Sequence, residues 1–236
     1  MRLTLNVAVV LILSVSVFPQ VPQPPDPPTL PSANEIIRKV ATANAVRTAR
    51  LQSYRSTRIY EVEYKGLGSE RHARMVVGAS FADGRKSFHV ISEEGSKLLL
   101  NRVIRKALES EEEAATDEMR ARSGLTEANY TFEFLKSEVS DGRPCFVLRA
   151  LPKRKDKFLY DGKVWIDAAD FAIVRVEAQP AKNPSFWITG ATIEHHNVDV
   201  RGIWLPASNR STSKVRLGGK AMLTIDYGKY EEIMTR

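Results

Sequence analysis

From residue 54 to residue 227 the chain repeats one local pattern. A run of alternating apolar and polar residues is followed by a pair that accepts a left-handed backbone. In 54–64 (YRSTRIYEVEY), Tyr54, Tyr60, Val62 and Tyr64 share one parity, and Arg55, Glu61 and Glu63 share the other. In 72–81, Ala73, Met75, Val77, Ala79 and Phe81 alternate with His72, Arg74 and Ser80. Gly66-Leu67-Gly68 separates these two runs. Asp83-Gly84, Asp141-Gly142 and Gly218-Gly219 each stand between strand-like runs farther along. Side chains of a strand alternate between faces, and such pairs supply the positive φ of tight hairpins. The pattern predicts consecutive antiparallel hairpins rather than strand–helix–strand units. Further runs at 130–134, 145–151, 163–167, 171–177, 186–200, 203–209, 213–217 and 220–227 bring the expectation to roughly ten strands.

Two segments break the alternation. Ser32-Ala33-Asn34-Glu35 has the form of a capping box, in which a Ser and a Glu three residues on satisfy each other's backbone donors. Ile36, Ile37, Val40, Ala43 and Val46 then recur at helical spacing, which predicts an amphipathic helix over 33–51. Leu100, Val103, Ile104, Ala107 and Leu108 mark a second helix within 97–122, preceded by Leu98 and Leu99. Lys97, Arg102, Arg105 and Lys106 lie in its first half and an acidic run (Glu109, Glu111, Glu112, Glu113, Asp117, Glu118) in its second. That order opposes the helix dipole. The apolar stripe must therefore hold the helix, or it breaks near Ser110. It reads either as a movable lid or as a packed helix with a solvated acidic tail. So few helices cannot cover both faces of a sheet this large. The expected fold is mainly β (α+β): a strongly curved antiparallel sheet forming a half-open barrel, with the N-terminal and inserted helices on its concave side.

The N-terminal end differs from this domain. Arg2 precedes an uncharged stretch that includes 7–13 (VAVVLIL) and runs to Phe18, too short for a membrane-spanning helix of about 20 apolar residues. Residues 1–18 read as an export signal, or as an uncleaved anchor. Residues 19–31 (PQVPQPPDPPTLP) hold seven of the 12 prolines and read as an extended tether, since Pro lacks an N–H and fixes φ. The folded domain is expected at 32–236. One Cys in 236 residues makes no intramolecular disulfide and no thiolate zinc site by itself.

Catalytic patterns are weak. The chain has no G-x-S-x-G, H-E-x-x-H, P-loop or dinucleotide-type glycine run. His195 and His196 are adjacent on a predicted strand and so point to opposite faces. Cys145 sits in an apolar strand as a small core residue, and Asp167 and Asp170 flank a turn that Asp side chains commonly cap. Asn129-Tyr130-Thr131 and Asn209-Arg210-Ser211 have the form of glycosylation sequons. The net charge is +7, with the basic excess in 32–108 (15 Lys/Arg against seven Asp/Glu) and a local cluster at Lys153, Arg154, Lys155 and Lys157. Export argues against nucleic acid as the partner. The cluster suits an anionic surface or a solvated turn. All three Trp (165, 187, 204) lie in the C-terminal half. The apolar concave surface is either core or a lipid-sized cavity, and periodicity by itself favours core.

A resemblance shifts that balance. Gly162-Lys163-Val164-Trp165-Ile166-Asp167, then Phe171-Ala172-Ile173-Val174-Arg175-Val176-Glu177, then Gly202-Ile203-Trp204-Leu205-Pro206, resembles the pattern of outer-membrane lipoprotein-sorting proteins, the LolA/LolB-like group. The resemblance implies a half-open barrel whose mouth is closed by helices around an apolar cavity. It implies a periplasmic carrier of lipoprotein acyl chains or related lipids, with no enzyme activity, no cofactor and no metal. On this reading Tyr60, Val62, Met75, Val77, Phe132, Phe134, Trp165, Phe186 and Ile188 line the cavity, and Leu99, Leu100, Val103 and Ile104 form the lid. A one-residue slip in strand facing inverts these assignments. Expected partners are acyl chains or another lipid, and envelope membrane proteins as a further class, with the carrier a monomer. The alternative is an envelope stress-sensing or protein-interaction module of the same fold with no transport role.

Overall fold

The computed structural model describes residues 31–236 except 67, 115, 184, 185, 187 and 217. Residues 1–18, read above as an export signal, and nearly all of 19–31, read as a tether, lie outside the described residues, as does Trp187. The chain opens with helix α1 (Ala33–Arg50) and runs directly into β1 (Leu51–Gly66), β2 (Ser69–Ala82) and β3 (Arg85–Gly95). A helical insertion follows: α2 (Lys97–Leu99), a π-helical turn (Leu100–Ile104), α3 (Arg105–Ala114) and α4 (Asp117–Ser123). Eight strands complete the chain: β4 (Tyr130–Ser140), β5 (Arg143–Pro152), β6 (Tyr160–Asp167), β7 (Ile173–Pro180), β8 (Ile188–Val200), β9 (Ile203–Val215), β10 (Lys220–Asp226) and β11 (Tyr230–Thr235).

All strands join one antiparallel sheet in the order β3-β2-β1-β10-β9-β8-β7-β6-β5-β4, with β11 beside β1. β10 pairs with Ile59–Lys65 of β1 and β11 with Leu51–Ser56, so the two continue one another along β1. β3 and β4 are the two edges, which leaves the half-barrel open. The turn chemistry does what the sequence predicts: Asp83-Gly84 and Asp141-Gly142 carry φ of 51° and 75° at their two positions. Ser32 caps α1 in both directions, accepting from Glu35 N at 3.3 Å while its own N donates to Glu35 Oε2 at 3.2 Å. The inserted helix does not break at Ser110. It continues to Ala114, and Thr116 caps α4 by accepting from Met119 N.

Register assigns the two faces. On the outer face one row crosses ten strands without a slip: Glu133, Arg149, Lys163, Glu177, Glu194, Arg210, Thr224, Glu61, Arg74, Glu94. Charges of opposite sign face each other at most of its steps, a solvated surface needing no cover. The neighbouring inner row reads Phe134, Leu148, Val164, Val176, His195, Asn209, Ile225, Tyr60, Met75. It is apolar at both flanks and polar in the middle. Both helical layers lie on this inner face. α1 presses Ile36, Ile37 and Val40 onto Phe132, Leu148, Val164 and Ile166, and each buried aliphatic side chain contributes about 1.5–3 kcal/mol.

Gly162, the first residue of the recognised motif, is fixed by a backbone approach. A Cβ there would fall 2.1 Å from Glu177 O and 2.5 Å from Ala178 Cα, both on β7. Gly162→Ala is expected to destabilise the fold by about 1–3 kcal/mol, as overpacking does. Urea unfolding checks this, and an unchanged midpoint would contradict the close β6–β7 contact.

Candidate functional site

The inner face near β1 and β2 carries one of the two large apolar clusters of the sheet. Tyr60, Val62, Met75 and Val77 are fully buried there, joined by Ile225 from β10. Leu99, Leu100 and Ile104 of the insertion cover them, with Val103 half-buried at the margin. These four β1–β2 residues and all four predicted lid residues thus form one cluster. Phe132 and Phe134 lie on the same face but in the other cluster, beneath α1. Trp165 is elsewhere. Register pairs it with Val147 and Arg175 on the outer face, where it packs with Cys145 and Val174. The reason is parity: Val164 and Ile166 take the inner positions of β6, so their neighbour points out. Phe186 is exposed in the β7–β8 connection beneath the Arg216 guanidinium, and Ile188 is half-buried at the start of β8.

An ion pair absent from the sequence reading joins the insertion to the sheet. Arg58 is wholly buried on β1, and its Nη1 donates to Glu111 Oε2 of α3 at 2.5 Å. The other carboxylate oxygen of Glu111 accepts from the Tyr60 hydroxyl at 2.7 Å. Phe88 and Tyr227 sandwich the guanidinium at 5.2 and 4.7 Å. Burial opposes the charge of Arg58, but the Glu111 carboxylate, with Tyr54 and Tyr60, outweighs it and holds the group protonated above its ordinary range. Burial, reinforced by Glu111, raises the Tyr60 hydroxyl. Lys86 approaches Glu111 at 4.0 Å, and burial lowers its ammonium. Parity was the available signal: Arg58 shares its parity with Tyr54, Tyr60, Val62 and Tyr64, which places it on their face.

The inserted helix has little else of its own to hold it. Ser96 makes no side-chain cap hydrogen bond, and the basic-to-acidic order opposes the dipole. The five residues Leu100–Ile104 form a π-helical turn, a costly irregularity that recurs at functional sites. Arg105 Nη2 adds a contact to Glu93 of β3 at 2.6 Å, half exposed and therefore weak.

Between the two apolar clusters, β8 and β9 present His195, Asn209 and Ser211 inward. His195 Nε2 meets Asn197 Oδ1 at 3.1 Å, and its Nδ1 faces Asn209 Nδ2 at 3.4 Å. Burial lowers the His195 pKa, so the neutral ring is favoured. His196 faces outward to Asp141 and Glu194, as adjacent strand residues must. Cys145 is buried with its thiol pushed up to about 11 by burial, which suppresses the reactive thiolate. Asp167 caps its turn by accepting from the Ala169 and Asp170 N–H groups at 2.9 and 2.7 Å. Arg143 and those amides hold its carboxyl below the usual range despite burial. The Asn129 amide is spent on Ala121 O and Gly124 O inside the fold, which removes it as a glycan acceptor. Among the described residues no group of three His, Cys, Asp or Glu could hold a metal ion. A hollow of about 500 Å³ lies on the outer face among Arg149, Lys163, Glu177, Glu194 and Arg210, so it is polar and away from the apolar clusters.

No family model and no curated protein matches the chain. Solved structures similar to it include a DUF1329 family protein from Desulfovibrio piger (14% identity, 85% of this chain and 92% of that one, TM-score 0.43). A domain assigned to outer membrane lipoprotein sorting, from Vibrio parahaemolyticus, shares 18% identity over 84% of this chain and 91% of its own, with a TM-score of 0.40. A LolA superfamily protein from Nitrosomonas europaea shares 11% over 88% and 94%, with a TM-score of 0.35. The group named from the sequence motifs is thus among these neighbours.

The buried pair and the tyrosines around it can each be tested in solution. Glu111→Ala leaves the Arg58 charge buried and unpaired, so a loss of about 3–5 kcal/mol is expected, whereas Arg58→Met with Glu111→Leu should recover most of it. A double-mutant cycle in urea measures both. Equal losses for the single and double variants would show that the pair is not the source. Tyr54, Tyr60, Tyr130 and Tyr227 all have hydroxyls raised by burial, Tyr130 to about 12. A folded pKa above the unfolded value of about 10 gives stability that is complete below pH 10 and is lost as pH rises through the folded pKa. Tyrosinate absorbance should therefore lag behind free tyrosine above about pH 10 and then rise with unfolding.

Proposed function

We propose that the protein is an exported, non-enzymatic carrier that holds the acyl chains of lipoproteins or related lipids between the inserted helix and the inner face. The observation that carries this reading is the cover itself. Leu99, Leu100 and Ile104 shield a cluster of fully buried apolar residues, yet a π-helical turn interrupts their helix and a buried ion pair ties it to the sheet. The energies are of a suitable size. Lifting the cover returns Leu99, Leu100 and Ile104 to water at about 1.5–3 kcal/mol each, roughly 5–9 kcal/mol in all, while the ion pair regains hydration of both charges and adds little net cost. An acyl chain of about 14 carbons regains on the order of 10 kcal/mol at about 0.8 kcal/mol per CH₂. The two sums are close, as loading and release by one protein require. Val62, Met75 and Val77 would then contact the chain, with Phe132 and Phe134 extending the surface. In this proposal the protein acts in the periplasm as a monomer after export by residues 1–18, and it needs no cofactor.

A second reading is an envelope interaction module without transport. It is favoured by the packing of α1 and the insertion directly onto the inner face, and by the polar lining of the 500 Å³ hollow. Native mass spectrometry of protein taken from its own envelope, together with uptake of an apolar fluorescent probe, separates the two. The carrier predicts a bound amphiphile, and a several-fold gain in the rate of probe uptake for Glu111→Ala. Repeated isolation without amphiphile, with no uptake by either form, would sink it in favour of the module.

A further inference from the structure

The antiparallel topology sorts the strand connections to two ends of the half-barrel, and the two ends differ in charge. At one end the β5–β6, β7–β8 and β9–β10 connections carry Lys153, Arg154, Lys155, Lys157, Lys182 and Arg216, against Asp156 within them and Glu127 and Asp161 beside them. At the other end Asp83, Asp141 and Asp170 are matched by Arg85, Arg201 and Arg236. Asp156 is not available to solvent. Asp156 is 8% exposed and ion-paired with Arg122 at 2.9 Å, which leaves the surrounding cations in excess at the surface.

The β5–β6 connection is built rather than loose. Arg154 Nη1 donates to Asn129 Oδ1 at 2.8 Å, and Ala181 N donates to Leu159 O at 2.7 Å, tying this loop to α4's flank and to the β7–β8 connection. Between the two loops is a hollow of about 400 Å³. Its lining joins the apolar Leu151, Pro152, Pro180 and Ala181 to Lys153, Arg154, Lys155, Gln179 and an Asp161 that is paired with Arg149. Lys157 and Lys182 are exposed nearby.

We infer that this basic end is a docking surface for an anionic phospholipid bilayer, met end-on by the half-barrel. Charge complementarity selects the occupant: clustered cations around a partly apolar hollow match phosphate headgroups above acyl chains. The opposite end, where acids and cations balance, offers no such attraction, and that difference sets the orientation. The attraction acts within a Debye length, about 10 Å at 0.1 M salt. This inference stands apart from the carrier reading, since a protein-interaction module would dock in the same way.

The test is co-sedimentation with vesicles of phosphatidylcholine containing about 40 mol% phosphatidylglycerol, against phosphatidylcholine alone. One variant carries Lys155→Glu, Lys157→Glu and Lys182→Glu. Its control carries the same charge change at the other end: Arg85→Glu, Arg201→Glu and Arg236→Glu. Lys155→Gln, Lys157→Gln and Lys182→Gln provides a milder version should the first fold poorly. The parent should bind anionic vesicles, lose binding as salt rises, and ignore neutral ones. The lysine-to-glutamate variant should bind on the order of 100-fold more weakly, about fivefold or more per lysine, while the control retains most of its binding. Equal losses in variant and control would show a net-charge effect and overturn the docking end. Equal binding to neutral vesicles would overturn the electrostatic basis, and displacement by millimolar inorganic phosphate would reassign the hollow to free anions.

Discussion

The buried pair of Arg58 and Glu111 connects elements of this molecule that its backbone leaves separate. The insertion is tied to the sheet in sequence only at β3 and β4, the two open edges. Its apolar stripe gives it a face to lie on, but apolar contact does not fix direction or register. A guanidinium buried between two aromatic rings can be satisfied only where a carboxylate arrives, so the position of Glu111 determines where α3 sits. Taking two charges out of water is expensive, and the pair is worth more for the specificity of that placement than for net stability.

The sheet divides its labour by parity. The outer row of paired charges lets one face meet water, and the inner rows place apolar residues at two flanks with a polar strip between them. α1 covers one flank and the insertion the other. His195 and Asn209 mark the strip where neither core reaches. The inner face thus carries two helix-covered cores, and of these one is roofed by an element with a helical irregularity.

The motif behind the family resemblance has structural causes. Gly162 permits the close approach of β6 and β7, and Asp167 caps the turn between them while pairing with Arg143. Trp165 and Trp204 carry Arg175 and Arg143 on their rings on the outer face. These residues build the β5–β9 region of the sheet and stand apart from the apolar cover. A match to them speaks for architecture. That is why the motif suggests Trp165 for the cavity while the structure turns it away.

The sequence by itself determined the strands, the hairpins, the capped first helix and the apolar stripe of the second. Each of these rests on local rules: period-two alternation, left-handed turn residues, a reciprocal cap and 3.6-residue spacing. It also placed Tyr60, Val62, Met75 and Val77 on one face, because runs of consistent parity survive any uncertainty in the ends. Tertiary structure alone decided which strands are neighbours across the sheet, that Phe132 and Phe134 belong to a different core from Tyr60, and that Glu111 of an acidic run is the one to meet Arg58. It alone brought Lys182 beside the cluster that Lys153, Lys155 and Lys157 already form in the sequence. Those outcomes depend on contacts between residues tens of positions apart, and no local pattern encodes the partner of a buried charge or the end to which a loop is sent.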